Sequence, residues 1–256
     1  MSDEVLIELR DDQTLWLTIN REKQRNAINA QVLEGLSQGL DQAMANPDIR
    51  AVVLTGAGAK AFCAGGDLQS NSPFSVDYSS PYAGAAQLFR KAKQTTVPLI
   101  ARVNGACLAG GMGLLSMCDL AVAVRTASFG LPEVKVGMFP AQVLSLLQHQ
   151  IPRRSLNELC LLGDTITAEM AYDIGLVNGV TDNLDDELNG ILARLSERSP
   201  AAIRRGLYTL KKMEAMPFEE AISFAETQVA LFALTEDAKE GVRAFQEKRK
   251  PVWTGK

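Results

Sequence analysis

VNGACLAGGMGLLSMCDLAVA, residues 103–123, decides how the rest of the chain is read. A Gly-rich turn leads into an apolar helix that ends at Cys118-Asp119, and a short strand begins at Leu120. With Gly110, Gly111 and Gly113 the backbone can come close to a bound group, because no Cβ stands in the way. An exposed amide there can hold a developing negative charge. The span Ala106–Val124 is nearly apolar and raises the question of a membrane helix. Asp119 and the three glycines interrupt it, and a buried helix followed by a buried strand explains it better.

The remaining composition sets the frame. At 256 residues and 46% hydrophobic content, the chain can fill the core of one large domain, or of one domain with a helical extension. A net charge of -4 argues against a nucleic-acid backbone as partner. The basic C-terminal residues Arg243, Lys248, Arg249, Lys250 and Lys256 read as a solvated tail. The four cysteines, at 63, 107, 118 and 160, lack CxxC spacing, and three lie in apolar runs, as reduced core residues do. The N-terminus, MSDEVLIELR, is acidic where a signal or transit peptide needs basic residues, so the expected location is cytoplasmic.

Along the chain, Val5–Leu9 and Leu15–Asn20 flank an Asp11-Asp12 turn as a hairpin. The polar loop RNAIN follows, then a helix over 30–45 with Val32, Leu36, Leu40 and Ala43 at helical spacing, and a buried strand over 51–55. The Ser-, Pro- and Tyr-rich segment Gln69–Gly84 reads as a surface loop of a length that often covers a site. A helix carries Leu88, Phe89 and Ala92, and strands follow over 99–103, 120–124 and 128–130. Beyond Pro132 the chain reads as helical to its end, with long helices over 184–196, 200–214, 218–234 and 236–248. The helix starting at Phe218 has two apolar faces, which fit a subunit contact and equally fit cover within one chain.

Gly56-x-Gly58-x-x-Ala61 follows a strand, and Asp77 lies where a ribose-binding acid would stand. That dinucleotide reading fails, because Gly65-Gly66 comes where a helix should open and no matching strand follows Asp77. There is no GxSxG elbow and no GxxxxGK loop, and His149 is the only histidine. What remains is two Gly-rich turns, each after a strand, and one acid in an apolar setting. Two convergent amides make an oxyanion hole. Glu133, near Val134, Val136, Met138 and Phe139, gains a raised pKa if it is buried among them, which suits an acid/base. A structural role at a strand end is equally compatible with its composition.

AFCAGGDL at 61–68, NGACLAGGMGLLSMCDLAVA at 104–123 and ASFGLPEVKVGMFP at 127–140 resemble the three signature blocks of the enoyl-CoA hydratase/isomerase, or crotonase, family. RNAIN at 25–29 resembles its CoA-side loop, and EGVRAFQEKRKPVW at 240–253 its C-terminal helix. The resemblance implies an α/β fold, a spiral of repeated ββα units over 1–196 with the acyl-CoA site. A helical region over 197–256 would serve oligomerisation and part of the CoA site. It further implies trimers or dimers of trimers, acyl-CoA thioester substrates, and no cofactor beyond the coenzyme A of the substrate.

Carried over by position, the oxyanion amides fall on Ala64 and Gly110, with Gly65, Gly66 and Asp67 around the first. Asp67 in this family more often holds the turn than does chemistry. Glu133 matches one of two hydratase glutamates. The other is expected three residues after Gly110, where this chain has Gly113. Arg25 and Ala27 flank the CoA, and Lys248 approaches its phosphates. A single carboxylate suffices to move a proton from Cα to Cγ across a dienolate, so the resemblance points to isomerisation of a 3-enoyl-CoA. The alternatives are a hydratase on a specialised substrate with a second acid from elsewhere, Asp77 first; a decarboxylase or hydrolase of the same fold; and a non-catalytic CoA-binding protein.

Overall fold

The computed structural model describes residues 4–67 and 84–256; Asp77 and all of the proposed covering loop except Gly84 lie outside the described residues. The chain opens with the expected hairpin, β1 (Val5–Leu9) antiparallel to β2 (Thr14–Ile19), with Val5 opposite Ile19. Asp12 pins the turn, its Oδ1 accepting from the Thr14 amide at 3.0 Å and hydroxyl at 2.6 Å. Helix α1 (Ala30–Ala45) begins at Asn29, whose side chain accepts from the Val32 N–H at 2.9 Å and so satisfies a first-turn donor.

Three turns of one pattern follow. The first is β3 (Ala51–Gly56), β4 (Ala61–Cys63) and α2 (Ala85–Gln94). The second is β5 (Leu99–Val103), β6 (Ala106–Leu108) and α3 (Gly110–Ser116). The third is β7 (Leu120–Val124), β8 (Ser128–Gly130), a 3-10 turn over Pro132–Val136 and α4 (Ala141–Leu147). Then come α5 (Arg153–Leu162), β9 (Thr165–Thr167), α6 (Ala168–Asp173) and β10 (Gly179–Thr181). The first strand of each turn joins a six-stranded sheet, β1-β2-β3-β5-β7-β10, and the second joins a four-stranded sheet, β4-β6-β8-β9. Within each sheet these repeated strands are parallel neighbours, which makes the chain a spiral of ββα units.

Both faces of the large sheet are covered. Leu15, Leu17, Val52 and Leu54 meet Val32, Leu36 and Leu40 of α1 in the main core. Trp16, Val53, Ile100 and Val122 meet Leu184, Leu188 and Ile191 of α7 (Leu184–Ser196) on the other side. Two-sided burial explains why the central strands read as continuous apolar runs without alternation.

The final helices are α8 (Pro200–Met213), α9 (Phe218–Ala233) and α10 (Glu236–Gln246). Polar clamps hold α8 to the spiral: Arg204 Nη2 donates to the carbonyls of Asn46, Pro47 and Ile49 at 3.3, 3.1 and 2.8 Å. Asp237, almost fully buried, gathers the C-terminal residues, accepting from the Thr254 and Gly255 amides at 2.8 and 3.1 Å and from the Ser199 hydroxyl at 2.6 Å. Phe218 and Phe245 remain 74% and 85% exposed.

The sequence reading missed β4, β6, β9 and β10. Each has only three residues, too few to carry a period, and each exists because a neighbouring strand completes its hydrogen bonds. The apolar stretch 106–124 divides into β6, α3 and β7, and no helix among the described residues is long and apolar enough to cross a membrane. All four cysteines are free thiols, with Cys63, Cys107 and Cys160 buried.

Candidate active site

The small sheet builds the site. Strands β4, β6 and β8 are parallel neighbours, with Cys63 opposite Cys107 and Cys107 opposite Phe129. Their carboxyl ends therefore lie side by side, and the chain leaves them into Ala64–Asp67, Ala109–Gly110 and Leu131–Glu133. Ligands of open parallel sheets bind outside such strand ends. The Ala109 amide reinforces the alignment by donating to the Gly130 carbonyl at 2.9 Å.

The two glycine turns touch. Gly65 has φ +98°, and a Cβ there would stand 2.7 Å from the Ala109 Cβ and 3.3 Å from the Gly110 nitrogen, so only glycine allows the approach. A Cβ on Gly110 would stand 3.6 Å from the Gly66 nitrogen. Ala109 itself has φ 50° and ψ -121°, a strained conformation for a residue with a side chain, and it sets the direction in which the Gly110 N–H leaves the chain.

Backbone bonding decides which amides are available, and here the assignment of Ala64 needs correction. The Ala64 N–H donates to the Arg25 carbonyl at 3.1 Å, and the Gly65 N–H points at Cys63 Sγ at 3.5 Å. Among the described residues neither Gly66 nor Gly110 has a hydrogen-bond acceptor for its amide. Gly66 is exposed, and a Cβ on it would meet nothing within 4 Å among the described residues. Among the described residues the free pair is Gly66 and Gly110, and Ala64 serves to hold the turn.

The RNAIN loop supports this turn from below. Arg25 and Asn26 are both left-handed, with φ 52° and 56°. Asn26 is fully buried, and its side chain donates to the Ala57 and Ala61 carbonyls at 3.0 and 2.7 Å and accepts from the Arg21 amide at 3.1 Å. The Ile28 amide donates to the Gly65 carbonyl at 2.7 Å, and the Asp67 amide to the Ile28 carbonyl at 2.8 Å. Arg21 closes the assembly, with Nη2 2.9 Å from Asp67 Oδ2 and Nη1 donating to the Ala27 carbonyl at 2.7 Å. Asp67 thus braces the turn, and Ala27 is buried behind it.

A second asparagine, Asn104, ties the ends of β3 and β5. It donates to the Gly56 and Gly58 carbonyls at 2.8 and 2.7 Å and accepts from the Gly56 amide at 3.2 Å. Neither asparagine was singled out from sequence: Asn26 stands at the end of the polar run REKQRN, and Asn104 is a lone polar residue before an apolar block. The Arg25 side chain is exposed and makes no ion pair among the described residues. Lys248 is exposed just beyond α10, and no hydrogen bond or ion pair among the described residues ties it to the glycine turns.

Glu133 lies in the 3-10 turn after β8, half-buried, and its Oε2 is buried with no hydrogen-bond partner among the described residues. Burial pushes its pKa above the ordinary 4.5, against a smaller opposing effect of its own backbone N–H. Of the residues expected to bury it, Val134 is half-buried, whereas Val136, Met138 and Phe139 are exposed. The turn packs against α5, where the buried Cys160 thiol feels the Glu133 charge and is itself raised by burial first and that charge second. His149 is exposed beyond α4, and no group of three or more metal-binding side chains occurs among the described residues.

Gly113 is buried on α3, one turn from Gly110. A Cβ there would stand 2.5 Å from Phe89 Cζ and 3.3 Å from Cε1 and Cε2 of the same ring. The edge of the Phe89 ring therefore fills the space that a side chain at 113 would enter.

The sequence profile of the enoyl-CoA hydratase/isomerase family matches residues 11–256. The enoyl-CoA hydratase EchA19 of Mycobacterium tuberculosis is 35% identical, over 97% of this chain and 95% of its own. The 2,3-dehydroadipyl-CoA hydratase of Escherichia coli is 32% identical over 98% and 99%. Among solved structures, an enoyl-CoA hydratase of Mycobacterium smegmatis superposes with TM-score 0.93 at 32% identity, covering 98% of this chain and 99% of that one. Shared fold, full-length coverage and identity at this level have one reading: the chain belongs to the enoyl-CoA hydratase/isomerase family.

Proposed function

We propose that the protein isomerises a 3-enoyl-CoA to the conjugated 2-enoyl-CoA. The thioester oxygen sits between the Gly66 and Gly110 amides, which stabilise the dienolate. The Glu133 carboxylate takes a proton from C2 and returns it to C4, while the electron pair of the broken C2–H bond forms the new C2=C3 bond and the old C3=C4 pair takes up the proton. The observation that carries this reading is the pairing of one buried carboxylate oxygen at Glu133, unpartnered among the described residues, with an aromatic ring at Gly113. One acid is enough for a proton shuttle, whereas adding water across C2=C3 calls for a second group to orient and deprotonate it.

Coenzyme A runs from the Gly66 side along Arg25 and Ala27, with the exposed Arg25 guanidinium available to phosphate. Lys248 reaches phosphate within the chain or across a subunit boundary. The exposed apolar residues of α9 and α10 support assembly as a trimer or dimer of trimers through the region 197–256. Free, buried thiols support a reducing, cytoplasmic setting.

The test offers a 3-enoyl-CoA and follows the conjugated thioester by absorbance, with product mass as second readout. Wild type should form product of unchanged mass, and Glu133→Gln should lose at least about a hundredfold in rate. No turnover, or turnover indifferent to that substitution, refutes the reading. Hydration is the second reading, favoured by the names of the relatives EchA19 and 2,3-dehydroadipyl-CoA hydratase. A water adduct formed from a 2-enoyl-CoA as fast as isomerisation would establish it.

A further inference from the structure

Phe89 sits on the buried face of α2 with Leu88 and Ala92, and its burial alone would make it an ordinary core residue. Its position relative to α3 gives it another consequence. Residues three apart on a helix share a face, so Gly110 and Gly113 look the same way. Among the described residues the Gly110 amide is free, whereas the space over Gly113 holds the ring edge, close enough that even a methyl group at 113 would collide with Cζ. One turn beyond the free amide the wall is thus aromatic carbon, offering water no hydrogen bond. Phe89 also lines a cavity of about 560 Å³ together with Gln142 and Ser145 of α4, so loss of its ring would open that cavity toward Gly113.

Resting on the isomerase reading above, we infer that Phe89 is a specificity-determining residue. Its ring, seated on Gly113, keeps water away from the bound enoyl group, so that the proton held by Glu133 returns to substrate carbon and no water adduct forms. The second member of the pair is Gly113, whose missing side chain makes room for the ring. Removing the ring leaves a void large enough for ordered water where polar partners are present, and Gln142 and Ser145, which line the same cavity as Phe89, carry such groups.

Two experiments test this. In heavy water, wild type should convert a 3-enoyl-CoA with little solvent deuterium at C4, and Phe89→Ala should raise the C4 deuterium content at least threefold, while Phe89→Leu should stay near wild type. A purely structural role for the ring would change rate and melting temperature but not isotope content. In the second experiment the substrate is a 2-enoyl-CoA, and the water adduct is measured by mass. Gly113→Glu alone should form almost none, because the ring occupies the space. Phe89→Ala/Gly113→Glu should form it at least tenfold faster than either single variant.

Unchanged deuterium content in Phe89→Ala overturns the inference, as does hydration by Gly113→Glu equal to that of the double variant. If the double variant does not fold, the isotope measurement on the single variant decides. The hydration arm requires no isomerase activity. A wild type that fails to isomerise, beside a double variant that alone hydrates, would sink the isomerase reading and leave the role of Phe89 standing.

Discussion

Asn26 Nδ2 lies 2.7 Å from the Ala61 carbonyl, and this bond joins the left-handed RNAIN loop to the strand that delivers the first glycine turn. The Arg25 carbonyl, one residue earlier, accepts the Ala64 amide. Asn26 therefore fixes which amide of the turn is spent inside the protein and which is left free. Replacing it with Ala removes donors from the half-buried Ala57 carbonyl and from the Ala61 carbonyl, which keeps only the longer 3.4 Å bond from Asn104, and puts a Cβ-bearing residue without a compensating side chain at φ 56°. Asn26→Ala should lose roughly 3–5 kcal/mol in urea melts. Asn26→Asp keeps the acceptor for the Arg21 amide but loses both donations, so it should fall in the same range. In the fraction that remains folded, kcat for isomerisation should drop with KM little changed, because the free Gly66 amide would no longer be held in place.

Glu133 titrates above 4.5 because burial disfavours its charge. Between 4.5 and its folded value the native protein keeps a proton that the unfolded chain has released, so stability falls as pH rises through that window and stays lower above it. Glu133→Gln removes this loss. Its melting temperature relative to wild type should therefore climb from about pH 4 to neutrality. The opposite trend, or none, would mean that the carboxylate is solvated. Activity moves the other way: the acid limb of kcat/KM should centre above 4.5 in wild type and vanish in the Gln variant.

The fold was largely legible because its elements have strong local signals. The apolar spacing of Val32, Leu36 and Leu40 marks α1, and the Gly-rich blocks mark two of the three strand ends that form the site. What escaped depends on partners distant in sequence. Choosing Gly66 over Ala64 needs the Arg25 carbonyl, which arrives from another loop. The 3-10 turn that carries Glu133 packs against α5, whose Cys160 feels the Glu133 charge, while Val136, Met138 and Phe139 beside it stay exposed. Phe89 carries no local sign of its contact with Gly113, since in sequence it is one apolar residue among several on an amphipathic helix. Strands β9 and β10 exist only as pairings with β8 and β7.

Gly111 and Gly190 should respond in opposite directions to the same substitution. A Cβ on Gly111 would stand 2.3 Å from the Cys63 carbonyl oxygen, which belongs to a paired strand and cannot swing aside. Gly111→Ala should cost at least about 3 kcal/mol and separate the two glycine turns. Gly190 is exposed within α7, with nothing within 4 Å of an added Cβ. Gly190→Ala should gain about 0.5–1 kcal/mol from helix propensity and leave activity alone. Equal and small effects at both positions would show that α3 can slide on β4.

Lys211 is where the helical region grips the spiral. Its Nζ lies 3.0 Å from Asp119 Oδ1 and donates to the Ala92 and Thr95 carbonyls at 3.2 and 2.9 Å, with the side chain 12% exposed. Asp119 in turn accepts from the Leu99 amide at 2.9 Å, so the ion pair links α8 to the ends of α2 and α3 and to the start of β5. Breaking it leaves one charge and two carbonyls poorly matched in a sheltered site, and Lys211→Met should cost roughly 3 kcal/mol. The exposed pair Lys239–Glu236 is a fair control, since water and salt screen it, and Lys239→Ala should not move the melting temperature measurably. Adding Asp119→Asn to Lys211→Met should cost much less than the sum of the two single losses, by at least about 1 kcal/mol. Strict additivity would mean that α8 is held by its apolar contacts and by Arg204, with the Lys211 pair contributing nothing to the joint.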